Sequence, residues 1–317
     1  MTPPYTCCNA MRTRPAMSGH DDRYGLPGNY TVMRCDNCGH AQIANPPDET
    51  SLAKLYTERY PRSRQSASTY KPFSPPGPLR GWLEGALSAA ALWVRPGSRV
   101  LEVGCGACEM LGYLRSRGCD VAGTEIDQNV AAIAARQDFD VRIGSYNADQ
   151  FPESHFDSAL LNQVIEHIPS PDSLLAGLNR NLRSGGQLIV TTPNVSGLMR
   201  LMFGRRWLHW HLPYHRHFFS RRSLALLGER TGFTVTMMRT ITPASWAQYQ
   251  WCHLYKMPEP GAAHPFWNNT LPRPLLQRLW WRTVTVALHA SYIDHLVYRL
   301  VDAMHLGDNL VAIFRKN

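Results

Sequence analysis

Three hydrophobic patterns divide the chain. The first is a series of short apolar runs: Val100, Leu101 and Val103, then Asp120–Thr124, Val141-Arg142-Ile143, Phe156-Asp157-Ser158-Ala159-Leu160-Leu161, Gln187–Thr192, Phe233–Arg239 and Leu310–Phe314. Runs this short, bounded by glycine or polar residues, read as strands buried on both faces. The second pattern is helical spacing between them. Leu174, Leu175, Leu178 and Leu182 give one apolar face, with Ser170 as cap, Pro171 at the first position and Gly185-Gly186 as the stop. Gly81–Val94, Gln128–Arg136 and Ser220–Thr231 read as further helices. Strands alternating with helices predict an α/β doubly wound sheet whose ligands sit at the carboxyl ends of the strands. The third pattern lies in an insertion at about residues 245–305, before the last strand. There Ile293, Leu296, Val297, Leu300, Val301 and Met304 follow i, i+3, i+4, i+7, i+8, i+11, and Trp280, Trp281 and Arg278 lie on the preceding helix. This face reads either as a helical cap packed over a site or as an attachment to a membrane surface.

The chain before this sheet breaks the pattern. Residues 1–60 read as a separate ribbon-like head, 61–80 as a linker or flap rich in Ser, Pro, Arg and Tyr, and 81–317 as the main domain carrying the insertion. In the head, Cys35-Asp36-Asn37-Cys38-Gly39 is a tight turn that can aim two thiolates at one ion. Cys7 and Cys8 are the candidate second pair, with His20 as a substitute ligand, and a structural zinc or a metal-free ribbon are both open readings. Ser51–Tyr60 reads as a short helix ending at Pro61.

The richest chemistry surrounds the first strand. Gly104 and Gly106 let backbone approach a ligand that a Cβ would push away. Glu125, 21 residues after Gly104 (125 − 104), can accept both hydroxyls of a ribose. A dinucleotide site would place a third glycine where Glu109 stands, and that charge would repel a diphosphate, which disfavours a nicotinamide oxidoreductase. Glu102 instead suits a cofactor carrying an ammonium and a sulfonium. The stretch resembles motif I of class I S-adenosylmethionine (SAM) methyltransferases, E-x-G-x-G-x-G, with Cys108 replacing the third glycine. Phe156–Pro169 resembles the same family's segment as found in ubiquinone-biosynthesis O-methyltransferases, and the likeness spans roughly residues 95–240.

The resemblance implies a Rossmann-like seven-stranded sheet in the order 3-2-1-4-5-7-6 with its last strand antiparallel. It implies SAM as cofactor, contacted by Glu102, Gly104, Gly106, Glu125, Ile126, Ser145, Asn162 and Gln163. Ser145 stands where the family often has the carboxylate that reads the adenine amino group. The head, from Asp22-Arg23-Tyr24-Gly25 through YTVMRCDNCGH, is similar to the zinc-ribbon head of bacterial sugar and natural-product methyltransferases, with the metal at Cys7, Cys8, Cys35 and Cys38. That family's first knuckle is also C-x-x-C, and this chain departs from it.

Arg205–Ser220, RRWLHWHLPYHRHFFS, concentrates four histidines between the fifth strand and the next helix. An alcohol needs help to lose its proton at neutral pH, and histidine has the matching pKa of about 6.5. His167, at the end of the fourth strand, and His215 and His217 are the candidate bases.

Composition bounds the rest. With 317 residues, 44% hydrophobic and 18% charged, the chain is globular, and its formal charge of +9 favours anionic partners. No RNA-recognition pattern interleaves its basic residues, so nucleic acid is not expected as a partner. The first residues lack a signal-peptide core, no run of 18 apolar residues occurs, and the cysteine grouping fits a metal or reduced thiols. The expected location is therefore cytoplasmic, with membrane association under the second reading of the insertion. The expected reaction is O-methylation of a sugar, glycolipid or secondary metabolite. A SAM-binding scaffold with reduced catalysis and a C-methyltransferase acting on a nucleotide sugar are the alternatives.

Overall fold

A computed structural model of the chain describes Cys8, residues 13–48, residues 70–268 and residues 274–317. The expected helix at Ser51–Tyr60, Cys7 and residues 61–69 of the linker lie outside the described residues. The head contributes β1 (Thr13–Gly19), β2 (Tyr30–Cys35) and β3 (Ala41–Ile43). There follow α1 (Pro78–Glu84), β4 (Arg99–Val103), α2 (Glu109–Ser116), β5 (Asp120–Glu125), α3 (Ala131–Arg136), β6 (Asp140–Ile143) and β7 (Phe156–Asn162). Then come α4 (Pro171–Asn181), β8 (Leu182–Pro193), α5 (Leu198–Phe203), β9 (His217–Phe218), α6 (Arg221–Arg230) and β10 (Phe233–Thr240). The insertion supplies α7 (Ala244–His253), α8 (Leu275–Thr283), a π-helical turn at Val284–His289 and α9 (Ile293–Ala303), before β11 (Asn309–Lys316).

The large sheet has the order β10-β11-β8-β7-β4-β5-β6, which is the expected 3-2-1-4-5-7-6 read from its other edge. β4 runs parallel to β5 and β7, pairing Glu102 with Gly123 and with Leu160. β11 runs antiparallel to β8 and β10. Every ligand-facing carboxyl end of the parallel strands therefore opens on one edge, the edge from which the insertion also departs. Leu101, Leu161, Leu175, Leu178, Leu188 and Phe314 pack the core on one face of this sheet.

Three boundaries differ from the expectation. The helix expected over Gly81–Val94 is α1 followed by two 3₁₀ turns, because Gly85 adopts a left-handed φ of 71° and caps α1 there. α4 stops at Asn181 rather than at Gly185-Gly186. The buried Asn181 amide donates to the carbonyls of Ala148, Phe151 and Pro152 and holds the chain as it turns. Leu182 is thus the first residue of β8, not part of the α4 face.

The small sheet joins distant parts of the chain. Its order is β1-β2-β3-β9, and Gln42 of β3 pairs with His217 of β9. Val32, Trp207, Trp210, Phe218, Ala247 and Tyr298 share one core, so the head, the histidine-rich loop and the cap pack as one body. Polar ties reinforce it. Asp22 pairs with His253 at 3.0 Å, and Arg23 donates to the Leu208 carbonyl at 2.6 Å while stacking over Trp267. His20 faces the same way, with Nε2 2.9 Å from the Pro258 carbonyl, which takes it away from the cysteines it was expected to assist.

Candidate active site

The turn after β4 is built on left-handed backbone. Gly104 and Gly106 have φ of 71° and 54°. A Cβ on Gly104 would lie 2.6 Å from a Val164 methyl, so a larger residue would displace Val164, which lines the cleft with it. Cys108, where the family pattern has its third glycine, keeps the glycine conformation at φ 61°. The turn therefore keeps its shape at the cost of some backbone strain. Glu125 closes over it. One carboxylate oxygen accepts the Gly106 N–H at 2.7 Å and the other accepts the Asp127 N–H at 3.1 Å. A carboxylate offers about four acceptor sites, so these two bonds do not exhaust what a ribose diol requires.

A cavity of about 1140 Å³ opens beside Glu125. That is more than the roughly 300–1,000 Å³ of a single small-ligand site, which leaves room for a cofactor and an acceptor together. Gly104, Glu125, Ile126, Ser145, Gln163 and His167 line it. Ile126 is largely exposed and offers the cavity an apolar side chain. Gln163 holds a left-handed φ of 56° and donates to Thr191 Oγ1 at 3.3 Å. Three expected contacts, Glu102, Gly106 and Asn162, are not among the lining residues. Glu102 is buried within the sheet. Asn162 accepts the Ala90 N–H and the Thr191 hydroxyl, so it joins the turn before β4 to β8. Gly106 acts through its N–H on Glu125. The residues fit SAM: acceptor carboxylate, glycine turn and an apolar side chain are present, and Glu109 in the first turn of α2 discourages a diphosphate.

The candidate bases separate. His167 lines the cavity, and its Nδ1 lies 2.9 Å from the Tyr214 carbonyl. A carbonyl only accepts, so Nδ1 carries the proton and the basic lone pair of the neutral ring is on Nε2. His215 packs edge-on against His167 with ring centroids 4.6 Å apart, and its Nδ1–H donates to the His209 carbonyl at 2.8 Å. Burial, with the nearby His167 charge, holds its pKa well below the ordinary histidine value, so it is neutral. His217 belongs to β9 and lies outside the cavity lining. Its Nδ1 is 3.2 Å from Nε2 of His40, and burial lowers its pKa to about 4.

Residues 79–237, half of the chain, match the family model described as a methyltransferase domain. The chain belongs to this family. It is a class I SAM-dependent methyltransferase, and the sheet order agrees. It is similar to the ubiquinone biosynthesis O-methyltransferase of Dechloromonas aromatica (strain RCB), 29% identical over 49% of this chain and 68% of that one. The enzyme of the same description from Pseudomonas entomophila (strain L48) is 27% identical over 58% of this chain and 77% of its own. Among solved structures, the [4+2]-cyclase SpnF shares the fold with a TM-score of 0.50 and 21% identity, over 87% of this chain and 98% of that one.

A buried carboxyl beside the cavity escaped the sequence reading. Glu166, next to His167, is buried, accepts the Thr192 hydroxyl at 2.9 Å, and has its pKa pushed up to about 8 by burial. Its carboxyl is therefore largely protonated at neutral pH. Glu166, His167 and His215 bring their polar atoms within 4.8 Å of one another. The E-H pair was visible in the sequence, but nothing local distinguishes a buried carboxyl from a solvated one.

The head holds a second cluster. Cys8, Cys35 and Cys38 have their sulfurs within 4.8 Å of one another, with Cys8 and Cys35 at 3.6 Å. Zinc–sulfur bonds of about 2.3 Å at tetrahedral angles separate sulfurs by about 3.8 Å, so the three thiols fit a zinc. Cys7 lies outside the described residues.

Proposed function

We propose that this methyltransferase O-methylates a small hydroxylated acceptor of the sugar, glycolipid or secondary-metabolite class, with His167 as general base. The observation that supports this is the His167 ring at the cavity wall, with its proton assigned to Nδ1 by the Tyr214 carbonyl. When bound, SAM supplies an electrophilic methyl on a good leaving group. The chain's own work is then placement and one proton transfer. Glu125, held by Gly106 and Asp127, anchors the ribose hydroxyls. His167 accepts the acceptor's proton on Nε2, while neutral His215 at its edge adds no competing positive charge. Neutral Glu166 leaves the histidine's basicity unpinned by a fixed carboxylate charge.

Comparing the metabolites of strains with and without the protein identifies the acceptor. On it, His167→Ala lowers turnover about 10²–10⁴-fold while calorimetric SAM affinity holds. Glu125→Ala does the reverse, weakening SAM by about 2–4 kcal/mol for two charge-assisted bonds. Near-normal turnover in His167→Ala removes the base.

The cysteine cluster holds a structural zinc in this reading. Protein purified without chelator contains about one zinc per chain. Cys35→Ser loses it together with several degrees of melting temperature, since metal binding adds to folding free energy. A metal-free protein whose melting is unmoved by Cys35→Ser contradicts the assignment.

A further inference from the structure

The cap helices face their polarity inward. On α9 the buried side chains are Asp294, His295 and Tyr298, while Ile293, Leu296, Val297, Leu300 and Met304 face solvent, Ile293 at 66% and Leu300 at 67% exposure. α8 repeats the arrangement: Gln277 is buried, and Leu275, Leu276 and Leu279 are exposed, Leu276 at 70%. α1 packs against α9 and adds exposed Leu79 and Trp82. Polar bonds lock this orientation. Asp302 pairs with Arg299 at 2.9 Å and accepts the Thr242 N–H and hydroxyl at 2.9 and 2.8 Å. Arg299 also donates to the carbonyls of Trp82 and Thr242. Turning α9 to bury its leucines would strip these partners from groups already out of water. Large apolar side chains left exposed on neighbouring helices in this way mark an interaction site.

Charge chooses the occupant. From Pro274 to Met304 the charged residues are Arg278, Arg282, Asp294, Arg299 and Asp302. The two carboxylates and Arg299 are turned inward, and Arg278 and Arg282 are exposed. A protein-binding face carries a mixed polar rim. The exposed charges of α8 and α9 are both cationic, α1 adds the Arg80–Glu84 ion pair, and Trp280 is exposed on α8 with its indole N–H bonded to the Trp251 carbonyl. No helix among the described residues is long and apolar enough to cross a membrane, so the contact would be peripheral.

We propose that the α8–α9 face seats the protein on an anionic lipid surface, its aliphatic side chains entering the headgroup–acyl boundary and Arg278 and Arg282 meeting lipid phosphates. The cap is rigidly joined to the histidine-rich loop. Asp308 accepts the Trp207 indole N–H at 2.8 Å and lies 3.1 Å from His209 Nε2, and Gln250 of α7 accepts the Leu208 N–H at 2.6 Å. The insertion thus reaches the cavity only through the loop that carries His215, the neighbour of His167, since none of its described residues lines the cavity. The proposal does not depend on which acceptor is methylated.

Cosedimentation of the full chain with phosphatidylcholine vesicles, with and without phosphatidylglycerol, tests it. The protein is expected to bind the anionic vesicles, less so in high salt, and pure phosphatidylcholine weakly. Leu296→Asp/Leu300→Asp lowers binding by about tenfold or more, as burial of two leucines implies. Arg278→Gln/Arg282→Gln lowers binding to anionic vesicles roughly fivefold per arginine. The arginine pair keeps the test intact should the aspartate variant fold poorly. Unchanged binding in the arginine variant, or no binding by the wild-type protein, overturns the proposal. So does a wild-type dimer in light scattering that ignores vesicles and becomes monomeric in the leucine variant, which would assign the face to a second copy.

Discussion

α4 and α9 are each 11 residues long and both amphipathic, yet they face opposite ways. α4 buries Leu174, Leu175 and Leu178 against the large sheet. α9 buries Asp294, His295 and Tyr298 and shows its aliphatic residues to solvent. The contrast extends to the bodies they belong to. The sheet core is aliphatic and phenylalanine-rich, whereas the ribbon–loop–cap body encloses His40, His209, His211, His215, His217, His253 and His264. One body is held by apolar burial, which is indifferent to pH. The other depends on histidines kept neutral or paired, and it has aliphatic surface left over for another partner.

The largest effect expected from this contrast is in the sheet. Leu178→Ala removes a fully buried side chain and should cost about 2–5 kcal/mol in urea unfolding. A loss below about 1 kcal/mol would mean the α4 interface collapses around the cavity.

Next comes the pH response of the other body. The pKa of His217 falls to about 4 in the folded chain from an ordinary value near 6.5. The unfolded state therefore binds the proton first. The stabilisation is full above about pH 6.5 and is lost as the pH falls toward 4, amounting to of order 3 kcal/mol. Glu166, raised to about 8, titrates with the opposite sign, since its contribution is full below its unfolded pKa and is lost as pH rises through 8. A difference between two proteins isolates the histidine. His217→Gln should gain about 3 kcal/mol relative to wild type between pH 7.5 and pH 4. Parallel stability–pH curves would show that β9 does not bury its histidine as described.

The smallest effect is the most telling. Leu300→Ala should change stability by less than about 0.5 kcal/mol, the range of an exposed substitution, although the sequence pattern gives Leu300 the same standing as Leu178. A cost approaching that of Leu178→Ala would show that the α9 face is covered in solution.

Much of the sheet was legible because its signals are local. Short apolar runs, Gly104 and Gly106 at a strand end, and Glu125 at the end of the following strand each depend on neighbours a few residues away. The site was legible in part. Glu125 and His167 could be placed from strand ends, since open α/β sheets gather ligands there. The separation of His215 from His217 could not, although they are two residues apart. Strand alternation would put residues two apart on one face, but His215 lies in the loop before β9 and packs on His167, whereas His217 is within β9 and meets the head. Nor could Asn162 and Gln163 be told apart by type: the left-handed backbone at Gln163 decides which lines the cleft.

By itself, then, the amino-acid order determined the elements, their alternation and the glycine turn after β4, because strand runs, helical spacing and glycine conformations are properties of short segments. Tertiary structure decided which way each amphipathic face points. Periodicity specifies that a helix has two faces but not which neighbour each will meet. In the cap that choice rests on bonds between residues far apart in the chain, Arg299 to Trp82 and Asp22 to His253, which hold the polar sides inward and leave the leucines outside.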